Sequence, residues 1–484
     1  MKGPAKRKAI AVPKKVERDF LAAVESGADF LETLYGQLKA LDGGLWDGVG
    51  YALTRDNQLG PGLVAQTPPG LWGKEAKDYK IGSGDFIVSR IQDLIARAED
   101  FVDITTLYPL PDGQFKTGIQ SGLRELAGSG RHVRVRILGG CFSPLQEKQS
   151  VYLEDLVKPL KSLGGNLEIF VAAQQTNLHS WNHAKMVAVD GRRAILGGEN
   201  QWDGDYLQRA PVHDLNVELS GSAVHYMHRF ADEIWKSVCK YRSTGWKPAY
   251  WKSGANKVTS KCLATSGKNV PGPGPVSVLG AGRFGPLHEK HANPADYAML
   301  LSLRSARTAV RIAQQDLGLE LLYWGPGMKA IAQALVRRCD VYIVLSNDYG
   351  KSGTGNSYST TTVAHTADHI KGYVENEPDA PKGKKLTELL CEKLHLTTLR
   401  FGPSDKWSDP PYEFANHSKF FLVDDNVFYV GSENLYPSDL IEYGVFISDP
   451  GAVQQMREEY WDQLWSYSKR VAISGSDAPA CYFR

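Results

Sequence analysis

Apolar positions along the chain alternate between two spacings: recurrences every three to four residues, and short continuous runs. The first spacing marks a helix with one covered face, and the second a strand buried on both faces. Ile87, Ile91, Leu94, Ile95 and Ala98 predict a helix, and Phe101 to Tyr108 a strand. Phe115, Ile119, Leu123 and Leu126 predict the next helix, and Val133 to Leu138 the next strand. Leu153 to Leu163 then reads as helix and Leu167 to Ala172 as strand. A helix carrying Tyr226, Phe230, Ile234 and Trp235 closes the series.

The same order returns in the second half. Helices are expected over Tyr297 to Ser305, Met328 to Val336 and Leu386 to Leu394, and strands over Val310 to Ala313, Val341 to Leu345 and Leu396 to Phe401. A closing helix carries Val453, Met456, Tyr460, Leu464 and Trp465. Whole units are thus duplicated, and the alternation of strand and helix predicts an α/β fold. Residues 1–80, with a helical pattern through Phe20, Val24, Phe30 and Leu34, read as an extension packed on the first lobe. The lobes themselves are expected at 81–245 and 286–484. Residues 246–285 between them, rich in Gly, Pro, Ser and Lys, suit a linker. Residues 347–384 are long, polar and without a counterpart in the first half. They suit a lid at the mouth of a site, or plain disorder.

Both halves carry one pattern at one spacing. The first copy is His183-Ala184-Lys185, four residues, Asp190, six residues, Gly197-Gly198-Glu199-Asn200. The second is His417-Ser418-Lys419, four residues, Asp424, six residues, Gly431-Ser432-Glu433-Asn434. A lone His-x-Lys on a strand is incidental, but a pattern matched position by position inside matched halves is a signal. Each copy reads as a hairpin: Lys185 to Val189, a turn at Asp190-Gly191, then Ala194 to Leu196; and Phe420 to Val423, a turn at Asp425-Asn426, then Val427 to Val430. Residues i and i+2 of a strand share a face, so each His sits beside its Lys. The return strand brings Asn200 or Asn434 back to the same end. Asp190, about 17 Å along the strand at roughly 3.3 Å per residue, stabilises the turn and does not react, and Asp424 does likewise. Gly198 and Ser432 complete the structural part of the motif.

Two hairpins meeting across a pseudo-twofold would place two histidines, two ammonium groups and two carboxamides around one point. That set can cleave a phosphodiester. One imidazole attacks phosphorus and the other protonates the leaving oxygen. Lys185, Lys419, Asn200 and Asn434 would hold the non-bridging oxygens. Each histidine needs a carboxylate behind its other nitrogen; Asp214 and Glu442, downstream of the two motifs, are the candidates. No acidic cluster near the motifs suits a divalent cation, so neither metal nor cofactor is expected.

Composition narrows the choice. Net charge is +2 over 484 residues, with 42% hydrophobic positions, so no basic field points to nucleic acid. Basic residues gather at Lys2, Lys6, Arg7, Lys8, Lys14 and Lys15, which reads as a solvated tail. No apolar stretch is long enough to span a bilayer and no signal-peptide pattern opens the chain. A soluble protein is expected, cytoplasmic or exported after a signal was removed. The six cysteines have no zinc spacing. Cys141, Cys339 and Cys391 read as buried thiols, whereas Cys239 and Cys262 flank a loop and could pair.

The doubled motif resembles the signature of the phospholipase D superfamily. Ser180-Trp181-Asn182-His183, Gly198-Glu199-Asn200-Gln201-Trp202, Gln314-Gln315-Asp316-Leu317 and Ser432-Glu433-Asn434-Leu435-Tyr436-Pro437 look like the secreted actinobacterial enzymes of that superfamily. The resemblance spans roughly residues 60–470. It implies two similar α/β lobes with the active site at their interface and metal-independent catalysis, with His183 as nucleophile and His417 as general acid. It also implies that Asp214 and Glu442 orient the histidines, with Glu442 standing where Asp is usual. Pro69-Gly70-Leu71-Trp72 lacks the cysteine that the secreted members carry there.

The expected function is a phospholipase D acting on glycerophospholipids at a membrane or micelle surface. Water or an acceptor alcohol would take the phosphatidyl group, no nucleic-acid partner is needed, and the protein is expected to be a monomer. Trp181, Trp202, Leu435 and Tyr436 beside the motifs suit acyl chains or simple core packing. A nuclease of the same chemistry and a non-catalytic lipid-binding or toxin component are the alternatives.

Overall fold

A computed structural model describes residues 12–60, 62–80, 85–141, 148–177, 180–240, 247–266, 270–287, 293–319, 322–408 and 411–484. Strand β1 (Tyr51–Leu59) precedes the repeated units. The first half contributes β2 (Phe101–Leu107), β3 (His132–Gly140), β4 (Asn166–Asn177), β5 (Met186–Val189), β6 (Arg193–Gly197) and β7 (Asp214–Ser220). After β8 (Val276–Phe284) come β9 (Ala309–Gln314), β10 (Asp340–Leu345), β11 (Leu394–Thr398), β12 (Lys419–Val423), β13 (Val427–Gly431) and β14 (Ile441–Ile447).

The two halves share one strand order and polarity. In the first sheet β4, β3 and β2 run parallel, then β5 pairs antiparallel with β2, β6 with β5 and β7 with β6. In the second, β11, β10 and β9 run parallel, and β12, β13 and β14 follow in the same way. The parallel strands are joined through helices such as Gly113–Gly128 and Gly325–Val336, as parallel connections require. Strands β2, β11, β12, β13 and β14 are buried at every position, which explains their continuous apolar runs. Strand β8 pairs with β14 and β1, and the far end of β1 pairs with β7, so the two sheets are stitched together at these edges.

Three expectations about organisation need correction. The N-terminal helices Lys14–Glu25 and Phe30–Asp42 pack on the second half, not the first. Phe20, Phe30, Leu31, Leu34 and Leu38 share a core with Leu300, Leu303, Val310 and Phe446, and Glu17 pairs with Arg304 at 2.7 Å. Only the later part of the extension lies on the first half, where Ala65–Thr67 pairs with β7. An apolar face on a helix says that it is covered and not what covers it. Second, the expected linker at 246–285 forms strands near both ends: Ala249–Lys252 extends the first sheet beside β4, and β8 belongs to the second. Third, Cys391 is not a free thiol; it is bonded to Cys481, which the chain's last turns bring back over the Lys384–Lys393 helix. Cys239 and Cys262 are also paired, and Cys141 and Cys339 are buried. Of the basic N-terminal residues, Lys14 and Lys15 open a helix and the others lie outside the described residues.

Residues 347–384 are ordered. A polar loop leads into the helix Val363–Glu375, whose first turn is capped by Thr362. Among the described residues no helix is long and apolar enough to cross a membrane.

Candidate active site

Each motif histidine sits just before a hairpin strand, and its neighbours fix it there. Asn182 donates to the carbonyl of Thr106 at the end of β2 (2.8 Å), and Asn416 donates to that of Gln314 at the end of β9 (3.0 Å). An asparagine therefore precedes both histidines for the same reason: it ties the entry of the motif to the neighbouring strand. The backbone N–H of His183 donates to the Ile441 carbonyl (2.6 Å), and that of His417 to the His213 carbonyl (2.7 Å). Ile441 and His213 are the residues just before Glu442 and Asp214. Each motif is thereby docked on the carboxylate strand of the opposite half.

The docking crosses the carboxylates over. His183 Nδ1 lies 2.8 Å from Glu442 Oε1, and His417 Nδ1 lies 2.7 Å from Asp214 Oδ2. The two imidazoles face each other edge to face with ring centroids 6.3 Å apart. All four side chains are buried. Lys185 and Lys419 are buried beside them, each donating to the carbonyl of its own motif histidine. Asn200 donates to Tyr206 Oη (3.4 Å) and Asn434 to Tyr436 Oη (2.9 Å), and each leaves a buried carbonyl oxygen without a partner. The two histidines, their carboxylates and the two lysines thus meet at one centre, with Asn200 beside His417 and Asn434 held by Tyr436.

The motif aspartates do not join them. Asp190 sits at the hairpin turn with a positive φ of 56° and accepts from the backbone N–H groups of Glu99, Asp100 and Phe101. Asp424, at φ 53°, does the same for Arg307, Thr308 and Ala309. Each clamps the hairpin to the start of the neighbouring strand. Gly198 is required by contact: a Cβ there would lie 2.1 Å from Asp214 Oδ1. Ser432, its counterpart, accepts from the Tyr443 N–H at 3.1 Å.

The electrostatics of the two pairs differ. Burial and the Lys185 charge push His183 down to about 4 although Glu442 opposes them, so its imidazole is neutral at pH 7. Burial pushes Glu442 up, but Arg283 and His183 outweigh it and hold the carboxylate below its usual range. Arg283, from β8, reaches both Glu442 and Asp296. With Glu442 ionised, His183 Nδ1 is the donor and Nε2 keeps its lone pair. Asp214 has no such cation in hydrogen-bonding contact; burial raises it to about 7, partly offset by Lys419 and Lys185. Tyr206 donates to Asp214 (3.2 Å) and lies 3.0 Å from His417 Nδ1. His417 is pushed well down by burial and by the two lysines. Burial and Lys419 lower Lys185, and burial brings Lys419 to about 7. An anion bound between the lysines would offset the part of the His417 shift that their charges cause.

Beside this centre opens a cavity of about 560 Å³ whose lining includes Asn200, Trp202, Asp205, Gln315, Tyr358 and His417. The polar loop closes one wall. Asp205, in the first half, accepts from Thr354, from Asn356 (3.1 Å) and from Tyr358 (2.6 Å). The Tyr358 ring lies edge-on to His417 with centroids 5.1 Å apart. Trp202 faces the cavity and donates to the Pro109 carbonyl, whereas Leu435 is packed in the second-half core. Tyr206, Arg283, Asp205 and Tyr358 escaped the sequence reading. Tyr206 and Asp205 follow the first motif closely, but they have no repeat partner to mark them. Arg283 lies inside a segment that reads as linker.

No family model matches the chain. It is 30% identical over 494 residues to the phospholipase D of Streptomyces antibioticus, a match covering 91% of this chain and 87% of that one. The chain belongs to the phospholipase D superfamily. Membership places it among hydrolases that act on phosphodiester bonds. The phosphatidylserine synthase of Haemophilus influenzae Rd KW20 shares the fold, with a TM-score of 0.54 over 82% of this chain and 88% of that one at 14% identity. Among the described residues of this superfamily member, no group of three or more His, Cys, Asp or Glu side chains could hold a metal ion.

Proposed function

We propose that the protein is a phospholipase D that hydrolyses the distal phosphodiester of a glycerophospholipid, giving phosphatidic acid and the free headgroup alcohol. One observation carries this reading: two buried imidazoles 6.3 Å apart, each with Nδ1 on a carboxylate of the other half. A phosphorus placed between them would have one imidazole on each side, the arrangement that in-line displacement needs. His183 Nε2 attacks phosphorus while His417, protonated once the phosphate is bound, gives its Nε2 proton to the departing alkoxide. The phosphatidyl group is then on Nε2 of His183, whose Nδ1 keeps its proton, and the positive charge on the ring is balanced by the Glu442 carboxylate. Water, deprotonated by His417, attacks phosphorus in turn, breaks the P–N bond and restores both histidines. An alcohol in place of water gives the exchanged phospholipid. Lys185, Lys419, Asn200 and Asn434 surround the non-bridging oxygens. The matched strand order and the paired dockings support two lobes related by a pseudo-twofold through this point.

The name of the Streptomyces antibioticus relative supports a lipid substrate. The cavity lining does so too: it includes Asp112 and Asp205 with Trp202 and Tyr358, and among the described residues no lysine or arginine. Carboxylates and aromatic faces suit a cationic headgroup such as choline and oppose a polyanion, which argues against a nuclease. Phosphatidylcholine vesicles with EDTA and a little ethanol test the reading. Choline and phosphatidylethanol should appear, and both should vanish in His183→Ala and His417→Ala. Cleavage of DNA or RNA with no phospholipid turnover would overturn it.

A further inference from the structure

Beside the cavity the chain forms a small ribbon. Gly318–Leu319 and Leu322–Tyr323 pair antiparallel, with Gly318 opposite Tyr323 and Leu319 opposite Leu322. Directly opposed residues share a face of such a ribbon, and adjacent residues lie on opposite faces. One face therefore carries Tyr323 lying over Gly318, where a Cβ would stand 2.7 Å from the tyrosine ring. The other carries the two leucines side by side.

The tyrosine face is held down. Tyr323 stacks on His369 with ring centroids 4.0 Å apart, and its hydroxyl reaches Thr361 and His365 at 3.3 Å. The Thr360 backbone N–H donates to Asp316 (2.9 Å), and its hydroxyl lies within hydrogen-bond distance of Asp316 (2.8 Å) and of the Gly318 carbonyl (3.0 Å). The leucine face is left out: Leu319 is 37% exposed and Leu322 65%. Tyr349, 76% exposed, stands on the loop whose Asp348 caps the same helix through the Val363 N–H. Three of the large apolar side chains that the described residues leave exposed thus lie on segments tied to one another.

Those segments border the active site. Gln315 lines the cavity three residues before the ribbon, and Tyr358 lines it two residues before Thr360. A cavity of about 560 Å³ holds one drug-sized group. That room suits a phosphate and headgroup and is too small to take two long acyl chains as well. We propose that the Leu319/Leu322 face is a bilayer anchor that seats the mouth of the site on a phospholipid surface. This rests on the phospholipase D reading above. Apolar side chains presented on a clamped ribbon beside the entrance have a use when the substrate is part of a membrane, because they bury themselves among the same chains that the substrate must leave behind.

The test compares the full-length protein with Leu319→Ser/Leu322→Ser by co-sedimentation with phosphatidylcholine vesicles. It is read beside thermal melts and hydrolysis of dihexanoyl phosphatidylcholine below its micelle concentration. Vesicle partition should fall tenfold or more, because each leucine buried in lipid is worth about that factor. kcat/KM on the monomeric substrate should stay within twofold. Leu322→Trp, which keeps an apolar side chain there, should gain fluorescence quenched by brominated lipid and guards against misfolding of the double variant. Unchanged vesicle binding, equal losses on monomer and vesicle, absence of quenching, or a self-association that the double substitution abolishes would each overturn the anchor. A wild-type protein that binds vesicles through the ribbon but turns over no phospholipid would leave the anchor standing and overturn the hydrolase reading.

Discussion

His183 and Glu442 come from opposite halves of the chain, and their 2.8 Å hydrogen bond makes the nucleophile's geometry a property of the assembled halves. Neither half alone holds an oriented histidine, because His417 depends in the same way on Asp214. Glu442→Gln keeps the size of the side chain and loses the charge that fixes Nδ1–H. kcat should drop on the order of 10³–10⁴-fold, as when an orienting carboxylate is neutralised beside a catalytic imidazole, with the circular dichroism spectrum unchanged. A loss below tenfold would show that the bond does not set the tautomer.

The clamp made by Asp424 gives a contrasting result. Its carboxylate serves three backbone N–H groups and the Thr308 hydroxyl, far from the phosphate site. Asp424→Ala should cost about 1–3 kcal/mol of stability, since three backbone donors at the start of the neighbouring strand lose a charged acceptor. kcat per folded molecule should stay within a few fold. Denaturant melts and active-site titration separate the two effects, and a folded but inactive variant would return Asp424 to the reacting group.

Gly198 offers a steric probe of the second pair. A methyl group at this position meets Asp214 Oδ1 at 2.1 Å, so Gly198→Ala must displace the carboxylate that holds His417. Turnover should fall at least tenfold, with the pH–rate profile altered on the limb that reports the general acid.

Glu199 gives the account a pH signature. It is buried, accepts from Thr67 and Asn216, and burial raises it to about 8. A carboxyl whose folded value lies above its unfolded value of 4.5 binds more protons folded than unfolded between the two. It therefore contributes stability below about 4.5, which is lost as pH rises through about 8. Glu199→Gln removes that loss. The variant's Tm relative to wild type should rise steadily from pH 5 to pH 8, and a flat difference would mean that Glu199 is ionised in the fold. His183 and His213, both pushed down to about 4 chiefly by burial, act with the opposite slope. They weaken the fold as pH falls from 6.5 toward 4, and they do so equally in both proteins.

What could be read from the sequence follows from what repeats. Strand positions, hairpins, the paired motifs and the separation of Asp190 and Asp424 from the chemistry are encoded by local spacing, and the duplication marks them twice. Pairing between distant segments is not local. The apolar face of Phe30–Asp42 looks the same whichever half covers it. The bond from Cys391 to Cys481 spans 90 residues with no pattern between. The exchange of Asp214 and Glu442 between histidines depends on how the halves dock, because each carboxylate follows its own motif at a reasonable distance. Tyr206 and Arg283 are single-copy features, and a repeat cannot flag them.

In the proposed cycle His183 carries the phosphatidyl group and His417 the proton. The direct measurement is mass spectrometry of peptides from His417→Asn, quenched in denaturant and digested at neutral to mildly alkaline pH, where a P–N bond survives, seconds after mixing with a phosphatidyl substrate bearing a p-nitrophenol leaving group, which departs without a general acid. A phosphatidyl adduct should sit on the peptide containing His183, with a burst of one nitrophenolate per active site and slow turnover thereafter. A burst with no adduct on His183, or an adduct elsewhere in the chain, would contradict it.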